Sequence, residues 1–427
     1  MSAMFSSLAV RNYRIYAMGG IVSNTGTWMG RIAQDWVVLT ELTDGSAQAL
    51  GIVTGLQFLP MLLLAPLAGS VSDRFPKRRV MFVTQGMMGL TAALMGVMVL
   101  SGVMELWHMY LLVLLQGSAA AIDAPSRQAF VSEMVPPDRL TNAVSLNSAS
   151  FHGGRLLGPA VAGLMIAAIG TGPTLLVNAA TFVAVMTALW VMDGRTLTPV
   201  PRARGKGRIR EGLAYVRHRP DIMLIMALVF VHGTFGMNFQ ITNALMATQV
   251  FDKGVTDYGI VGSVMAIGSL SGALISARRE RPRWRHLLLA MAAFSLSTLA
   301  VALAPTFTVF TVMLVPTGLS ALMVMTTANS MVQLSVDPAV RGRVMSLYLA
   351  VFMGGTPLGS PMIGWIGEHL GARWTVLVAT VMCGLAVTAA TIFLMRQDDI
   401  RLRLTREHGR RLQLERGPVE PAPQKAS

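Results

Sequence analysis

The chain has 427 residues, of which 53% are hydrophobic and only 13% charged. That is about half the charged share of a soluble domain, which excludes a water-soluble globule. The net charge of +14 could serve nucleic acid, anionic lipid or membrane topology, and the positions of the charges decide among these.

A membrane-crossing helix needs roughly 20 mostly apolar residues. Apolar runs bounded by charge clusters predict spans at 14–39, 48–72, 79–102, 107–127, 141–168 and 174–193. Arg11 and Arg14 precede the first run, which is too long and too interrupted for the apolar part of a cleaved signal, so it reads as a retained helix. From Asp193 to Asp221 the chain is rich in Arg, Gly and Pro and reads as a linker, with Arg210 to Arg217 as a short surface helix. A second set of spans follows at 220–248, 258–277, 286–304, 308–333, 343–367 and 373–396. The expected organisation is a six-helix bundle over 1–193, a linker over 194–219, a second six-helix bundle over 220–396 and a tail over 397–427. The charge, Gly and Pro of the tail read as a disordered or membrane-surface segment. Of the 35 Lys and Arg residues, 31 fall in the N-terminal arm, the linker, the tail and the loops on one side of an even helix count. This is the positive-inside pattern with both termini cytoplasmic, as in a bacterial inner membrane. The basic balance is therefore topological, and no nucleic-acid partner is expected.

Polar residues inside spans are costly and mark functional candidates. In span 1, Asn24, Trp28, Arg31 and Asp35 recur at i, i+4, i+7 and i+11, on one helical face. Span 4 aligns Gln116, Asp123 and Arg127, span 5 aligns Ser148, His152 and Arg155, and span 7 adds His232, Gln240 and Asn243. At about 1.5 Å per residue, Arg31 and Arg155 lie at similar depth and Asp35 slightly further out, so Asp35 is positioned to neutralise either arginine. A proton on Asp35 would then free an arginine for an anionic substrate. The plainer alternative is a local i,i+4 ion pair between Arg31 and Asp35. Arg127 reads as a structural charge, His152 as a hydrogen-bonded bundle histidine, and Trp28, Phe151 and Phe235 as either substrate contacts or packing.

An internal repeat is visible in the chain itself. Sliding residues 137–178 by 201 positions lays them on 338–379 without a gap, with 14 of 42 positions identical. The matches include Phe151/Phe352, Gly153/Gly354, Gly154/Gly355, Gly158/Gly359, Gly163/Gly364 and Gly170/Gly371, and Gly117/Gly318 extends them. An offset of six spans preserves orientation, which predicts two parallel-repeat bundles with a pathway between them.

The loop after span 2 reads Gly69-Ser-Val-Ser-Asp73-Arg74-Phe-Pro76-Lys77-Arg78-Arg79. It resembles the major facilitator signature G-x-x-x-D-R-x-G-R-[RK], with Pro76 in place of Gly. Asp73 in a basic loop does not serve orientation, and the resemblance assigns Gly69, Asp73, Arg74 and Arg78 to a gating loop. In the second half Ser276 stands where the acid would be. Span 5 carries Gly154-Arg-Leu-Leu-Gly158-Pro159-Ala-Val-Ala162-Gly163, similar to the G-x-x-x-G-P-x-x-G-G signature of antiporters, with Ala162 replacing a glycine. Ordinary close packing of small residues is the rival reading of the glycines, though it does not account for Pro159. Span 4 has Val113 where that branch usually has an arginine. Ile122-Asp123-Ala-Pro125-Ser-Arg127-Gln-Ala129 and Arg341-Gly-Arg-Val-Met-Ser-Leu-Tyr348 resemble the bacterial exporter branch that includes the enterobactin exporter and drug exporters.

The resemblance implies an all-α membrane protein of twelve transmembrane helices in the major facilitator fold. It implies a monomeric secondary transporter that exports a small molecule by proton antiport, the alternative being a facilitator or importer on the same fold. Cys383 is the only cysteine and the seven histidines are scattered, so no metal site is expected. Gly205-Lys206 lacks the remainder of a phosphate-binding loop, so ATP hydrolysis is not expected. No cofactor and no enzymatic activity follow.

Overall fold

The computed structural model describes residues 3–198, 209–277, 282–337, 340–397, 400–405 and 411–416. Parts of the linker, of the loop after span 8 and of the tail lie outside the described residues. The helices are α1 (Arg11–Val37), α2 (Ala47–Leu63), α3 (Ala65–Arg74), α4 (Lys77–Leu100), α5 (Leu106–Met134), α6 (Leu140–Ile169) and α7 (Thr171–Val191). They continue with α8 (Ile209–Arg217), α9 (Pro220–Val231), α10 (Phe239–Leu245), α11 (Val255–Ala277), α12 (Trp284–Ala302), α13 (Phe307–Ser335), α14 (Arg341–Leu370) and α15 (Ala372–Gln397).

Among the described residues nine helices are long and apolar enough to cross a membrane, and the bent pair α2 and α3 makes a tenth. α1 and α5 complete the twelve. Both are long enough, and their apolarity is lowered by buried polar residues, Asp35 on one and Asp123 on the other. The outer face is that of a bilayer protein, with Leu90, Leu164, Leu289 and Leu296 exposed.

Two spans are broken for local reasons. α2 and α3 meet at 58°, after Pro60 removes a backbone donor inside α2. Span 7 divides into α9, a π-helical stretch at His232–Gly236, and α10. The short helix α8 lies against α14, where the chain approaches so closely at Gly212 that a Cβ there would stand 3.2 Å from Arg343 Cβ. In the tail, β1 (Ile400–Thr405) and β2 (Arg411–Arg416) pair antiparallel, with Ile400 opposite Arg416. Ile400, Leu402 and Leu404 alternate with polar residues, a period-two pattern that charge and Pro content obscured.

Packing follows the repeat. α6 packs on α1, and its counterpart α14 packs on span 7. α5 meets α2 where Gly117 faces Gln57 O, as α13 meets α11 where Gly318 faces Met265 O. The bundles join through two related seams, α6 with α11 and α2 with α14.

One end of the helices carries the arm, linker and basic loops and is called the basic end; the opposite end is the far end. In the far half, buried apolar residues of both bundles form one cluster, from Ile32 and Leu50 to Ile241, Val261 and Ile363. Towards the basic end each bundle keeps its own core, around Tyr13, Phe130 and Leu189 in the first and Ile225, Phe294 and Val344 in the second. Hydrogen bonds reinforce the closed far end. Gln249 Nε2 donates to Gly45 O at 2.9 Å, Gln48 N to Glu368 Oε2 at 3.2 Å, and Ser263 Oγ to Leu156 O at 2.7 Å.

Candidate functional site

Missing side chains bring α6 onto α1. A Cβ built at Gly154 would stand 2.7 Å from the backbone carbon of Asn24, and one at Gly158 2.5 Å from Trp28 Cβ. Asn24 Nδ2 also donates to Ser150 Oγ at 2.9 Å. This close approach carries Arg155 to Trp28, its guanidinium carbon 5.4 Å from the ring centroid. Arg31 lies 4.9 Å from the same ring and 4.9 Å from Phe58 of α2. Cation–π contacts of this kind contribute about 0.5–2 kcal/mol each, more when desolvated. Phe151 packs edge-on to Trp28 at 5.9 Å, and His152 edge-on to Phe151 at 5.7 Å. Phe151 remains 47% exposed.

Among the described residues Asp35 makes no ion-pair contact with Arg31 or Arg155, the i,i+4 pair included, although its charge still acts on Arg31 across one helical turn. Among the described residues the ion pairs form elsewhere, and no carboxylate reaches either guanidinium. Asp35 is fully buried and turned to the other bundle, where Tyr258 of α11 approaches Oδ2 at 3.1 Å. The Tyr258 oxygen is also 3.2 Å from Gln240 O, and its ring stacks on Trp36 at 6.5 Å. The two guanidinium carbons, each held against Trp28, are at most about 10 Å apart. At an effective dielectric of about 20 their repulsion is on the order of 2 kcal/mol.

A chain of amides runs beside Asp35. Gln57 Nε2 donates to Gln34 Oε1 at 2.9 Å, and Gln34 Nε2 to Gln116 Oε1 at 2.8 Å, tying α2, α1 and α5 together. Tyr258, Gln34, Gln57 and Phe58 are absent from the sequence-derived candidates. Gln57 carried a signal, as a polar residue in an apolar run, whereas Tyr258 stands at the edge of its predicted span and carried none.

Other candidates are dispersed. Asp123 faces α4, where its Oδ1 accepts from Thr84 Oγ1 at 2.8 Å and Gln85 Nε2 at 3.1 Å, while Arg127 holds its Oδ2 at 2.9 Å. This is a satisfied network within the first bundle. His232 is buried edge-on against Phe294 at 4.6 Å in the second core. Asn243 is buried near Met265 Sδ at 3.7 Å, and Gln240 enters only through its carbonyl to Tyr258. In the basic loop, Arg78 donates from Nε to Leu189 O at 2.7 Å and from Nη2 to Trp190 O at 3.1 Å, capping the end of α7. Lys77 pairs with Glu133 at 2.8 Å. Gly69, Asp73 and Arg74 sit on the exposed last turns of α3, and Asp73 enters neither contact.

Pro159 and Gly163 form the seam with the second bundle. A Cβ at Gly163 would stand 2.9 Å from Val255 O, and Gly262 faces Pro159 Cβ at 2.9 Å. The glycines of α6 are thus contact surfaces to α1 on one face and to α11 on the other. A family profile described as transmembrane secretion effector matches residues 2–419. The chain belongs to this family of major facilitator transporters.

The chain is similar to the staphyloferrin A transporter of Staphylococcus aureus, 25% identical over 384 residues, covering 88% of this chain and 94% of the relative. It is 26% identical over 398 residues to the multidrug efflux pump Tap of Mycolicibacterium fortuitum, covering 89% and 95%. The macrolide efflux protein A of Streptococcus pyogenes is 22% identical over 381 residues, covering 85% and 91%. Among solved structures, a variant of the nucleoside transporter NupG superposes with a TM-score of 0.73 at 12% identity, covering 90% of this chain and 99% of that one. A bacterial homologue of the human lysosomal transporter Spinster, inward-facing and unoccupied, gives 0.69 at 16% identity, covering 92% and 98%. The two structures share the fold of this chain, a multi-pass helical membrane fold.

Proposed function

We propose that this chain is a monomeric secondary transporter that exports a small molecule across the bacterial inner membrane in exchange for protons. The basic end is cytoplasmic in this reading, by the positive-inside rule, and the far end faces outward. Separate cores towards the basic end then leave the pathway open to the cytoplasm, and rocking of the bundles would open the far end in turn. The efflux roles of the relatives support export as the direction.

Proton exchange rests on one observation, the contact of Asp35 with Tyr258. A phenolic O–H holds one proton, yet the Tyr258 oxygen meets both a carboxylate oxygen and the Gln240 carbonyl. The phenol can donate to an ionised Asp35, and when Asp35 carries a proton it can instead donate to the phenol, freeing the phenolic proton for the Gln240 carbonyl. Without that proton, a buried carboxylate lies at the seam with Oδ1 unpartnered, opposed only by the Tyr258 hydroxyl and the charge of Arg31 a turn away. Such a charge costs several kcal/mol. Proton loading of Asp35 thus favours the closed far end, and proton loss to the cytoplasm favours its parting, which is the order an exporter driven by inward protons needs.

Everted vesicles with an acidic lumen and a panel of compounds test this directly. A compound should accumulate in the lumen, and an uncoupler should abolish the accumulation. Accumulation indifferent to the uncoupler, or confined to right-side-out vesicles, would remove the proton-exchange reading. Tyr258→Phe, which deletes both contacts of the phenol at about 0.5–1.5 kcal/mol each, should slow gradient-driven accumulation about fivefold or more. An unchanged rate would show that the phenol does not serve the seam.

The loop residue Asp73 is exposed and enters neither the Arg78 nor the Lys77 contact, which fits a role in the opposite conformation. Asp73→Asn should therefore reduce the transport rate several-fold with membrane insertion intact. Transport at the parental rate, measured in the same vesicles, would remove the gating assignment.

A further inference from the structure

Two guanidinium groups in the middle of a membrane protein, lying against aromatic rings with no carboxylate in reach, leave their hydrogen-bond donors available. Arg31 touches Trp28 and Phe58, and Arg155 touches Trp28. Asp35, the one acid a turn away, is committed to Tyr258 in the other bundle. Both arginines are only partly buried, and Phe151 beside them is exposed. The described helices that face them from the second bundle carry no charge at this depth; Asp221, Asp257 and Glu368 stand near helix ends. A partly exposed cluster with this excess of fixed positive charge and these aromatic rings is complementary to an anion with an apolar body. The guanidinium fork matches the two oxygens of a carboxylate, and Trp28 supplies a face on which a flat apolar group can stack.

We infer that Arg31 and Arg155 form an anion-binding site across Trp28, and that the exported molecule is a carboxylate joined to an aromatic or other apolar body. This assignment rests on the transporter reading but not on proton coupling. It does not require a proton on Asp35 to break a contact, because neither arginine makes an ion-pair contact with Asp35 among the described residues.

The test is equilibrium binding to the full chain purified in lipid nanodiscs, with no gradient imposed, using 2-naphthoate, its neutral amide and 2-naphthyl phosphate as probes. 2-Naphthoate should bind saturably and the amide at least about tenfold more weakly, the loss expected when a charge-assisted hydrogen bond is removed. Arg31→Gln and Arg155→Gln should each weaken naphthoate about tenfold or more without changing the weak binding of the amide. Arg31→Lys and Arg155→Lys, which keep the charge but not the fork, should recover part of the affinity and control for misfolding. Equal binding of acid and amide, or parental naphthoate affinity in both Gln variants, would overturn the site. Saturable binding of the phosphate alone would overturn the carboxylate assignment. Because binding needs no gradient, failure of coupling at Asp35 leaves this result standing, and the reverse holds as well.

Discussion

Exchanging Gly158 and Gly163 together for leucine is expected to abolish transport. At Gly158 even a Cβ would stand 2.5 Å from Trp28 Cβ and 3.0 Å from Thr25 O, so the first added carbon overlaps α1. At Gly163 the overlap is with backbone atoms of Val255 and Thr256 at 2.9–3.2 Å, which no rotamer change relieves. Overpacking of a close interface costs about 1–3 kcal/mol per site, and here the two sites separate α6 from α1 and from α11 at once. The first displacement would also pull Arg155 from Trp28, and the second would open the far-end seam. Gly153→Leu is the matched control, since a Cβ there meets nothing within 4 Å. Substrate accumulation in everted vesicles, normalised to folded protein in the membrane, reads the outcome. A double variant as active as the Gly153→Leu control would mean that these faces do not need to approach closely.

Asp35→Asn is expected to lose uphill transport entirely while retaining substrate binding and downhill exchange. The amide is nearly isosteric with a protonated carboxyl and can donate to the Tyr258 oxygen, so the far-end seam keeps its hydrogen bonds. What it cannot do is lose a proton, so the closed far end is favoured at every pH and no proton cycle drives the exchange. Accumulation against a gradient should fall to the level of vesicles without the transporter, with 2-naphthoate binding within about twofold of the parent at acidic pH, because the amide carries the same zero charge as protonated Asp35 and neither arginine makes an ion-pair contact with it. If the variant pumps uphill as well as the parent, Asp35 is not the coupling acid. Asp123 becomes the residue to test, although its hydrogen bonds to Thr84, Gln85 and Arg127 give it a ready structural role.

Much of the architecture was legible in the order of residues because it depends on local patterns. Apolar runs of membrane length, one-sided basic loops and the 201-residue repeat each follow from spacing along the chain. The glycines of span 5 were legible for the same reason: their spacing of four and five residues on a helix marks faces meant for close approach. The placement of Trp28 and Arg31 on one face was likewise a matter of helical period.

Tertiary structure decided which partner each polar residue took. Arg31 and Asp35 share a helix face, and spacing alone favours their pairing, but Asp35 finds Tyr258 at a sequence separation of 223 residues. No local period encodes that distance; it arises because α6 and α11 pack across the seam through Pro159, Gly163 and Gly262. Asp123 lies on the same kind of polar helix stripe as Asp35, yet its stripe turns inward to α4 and is satisfied within one bundle. A helix period states which residues share a face, and only the packing of neighbouring helices states what that face meets. That is why the chain alone could nominate Arg31, Arg155 and Asp35 together, and why only the folded bundles could separate the acid at the seam from the two arginines left open beside Trp28.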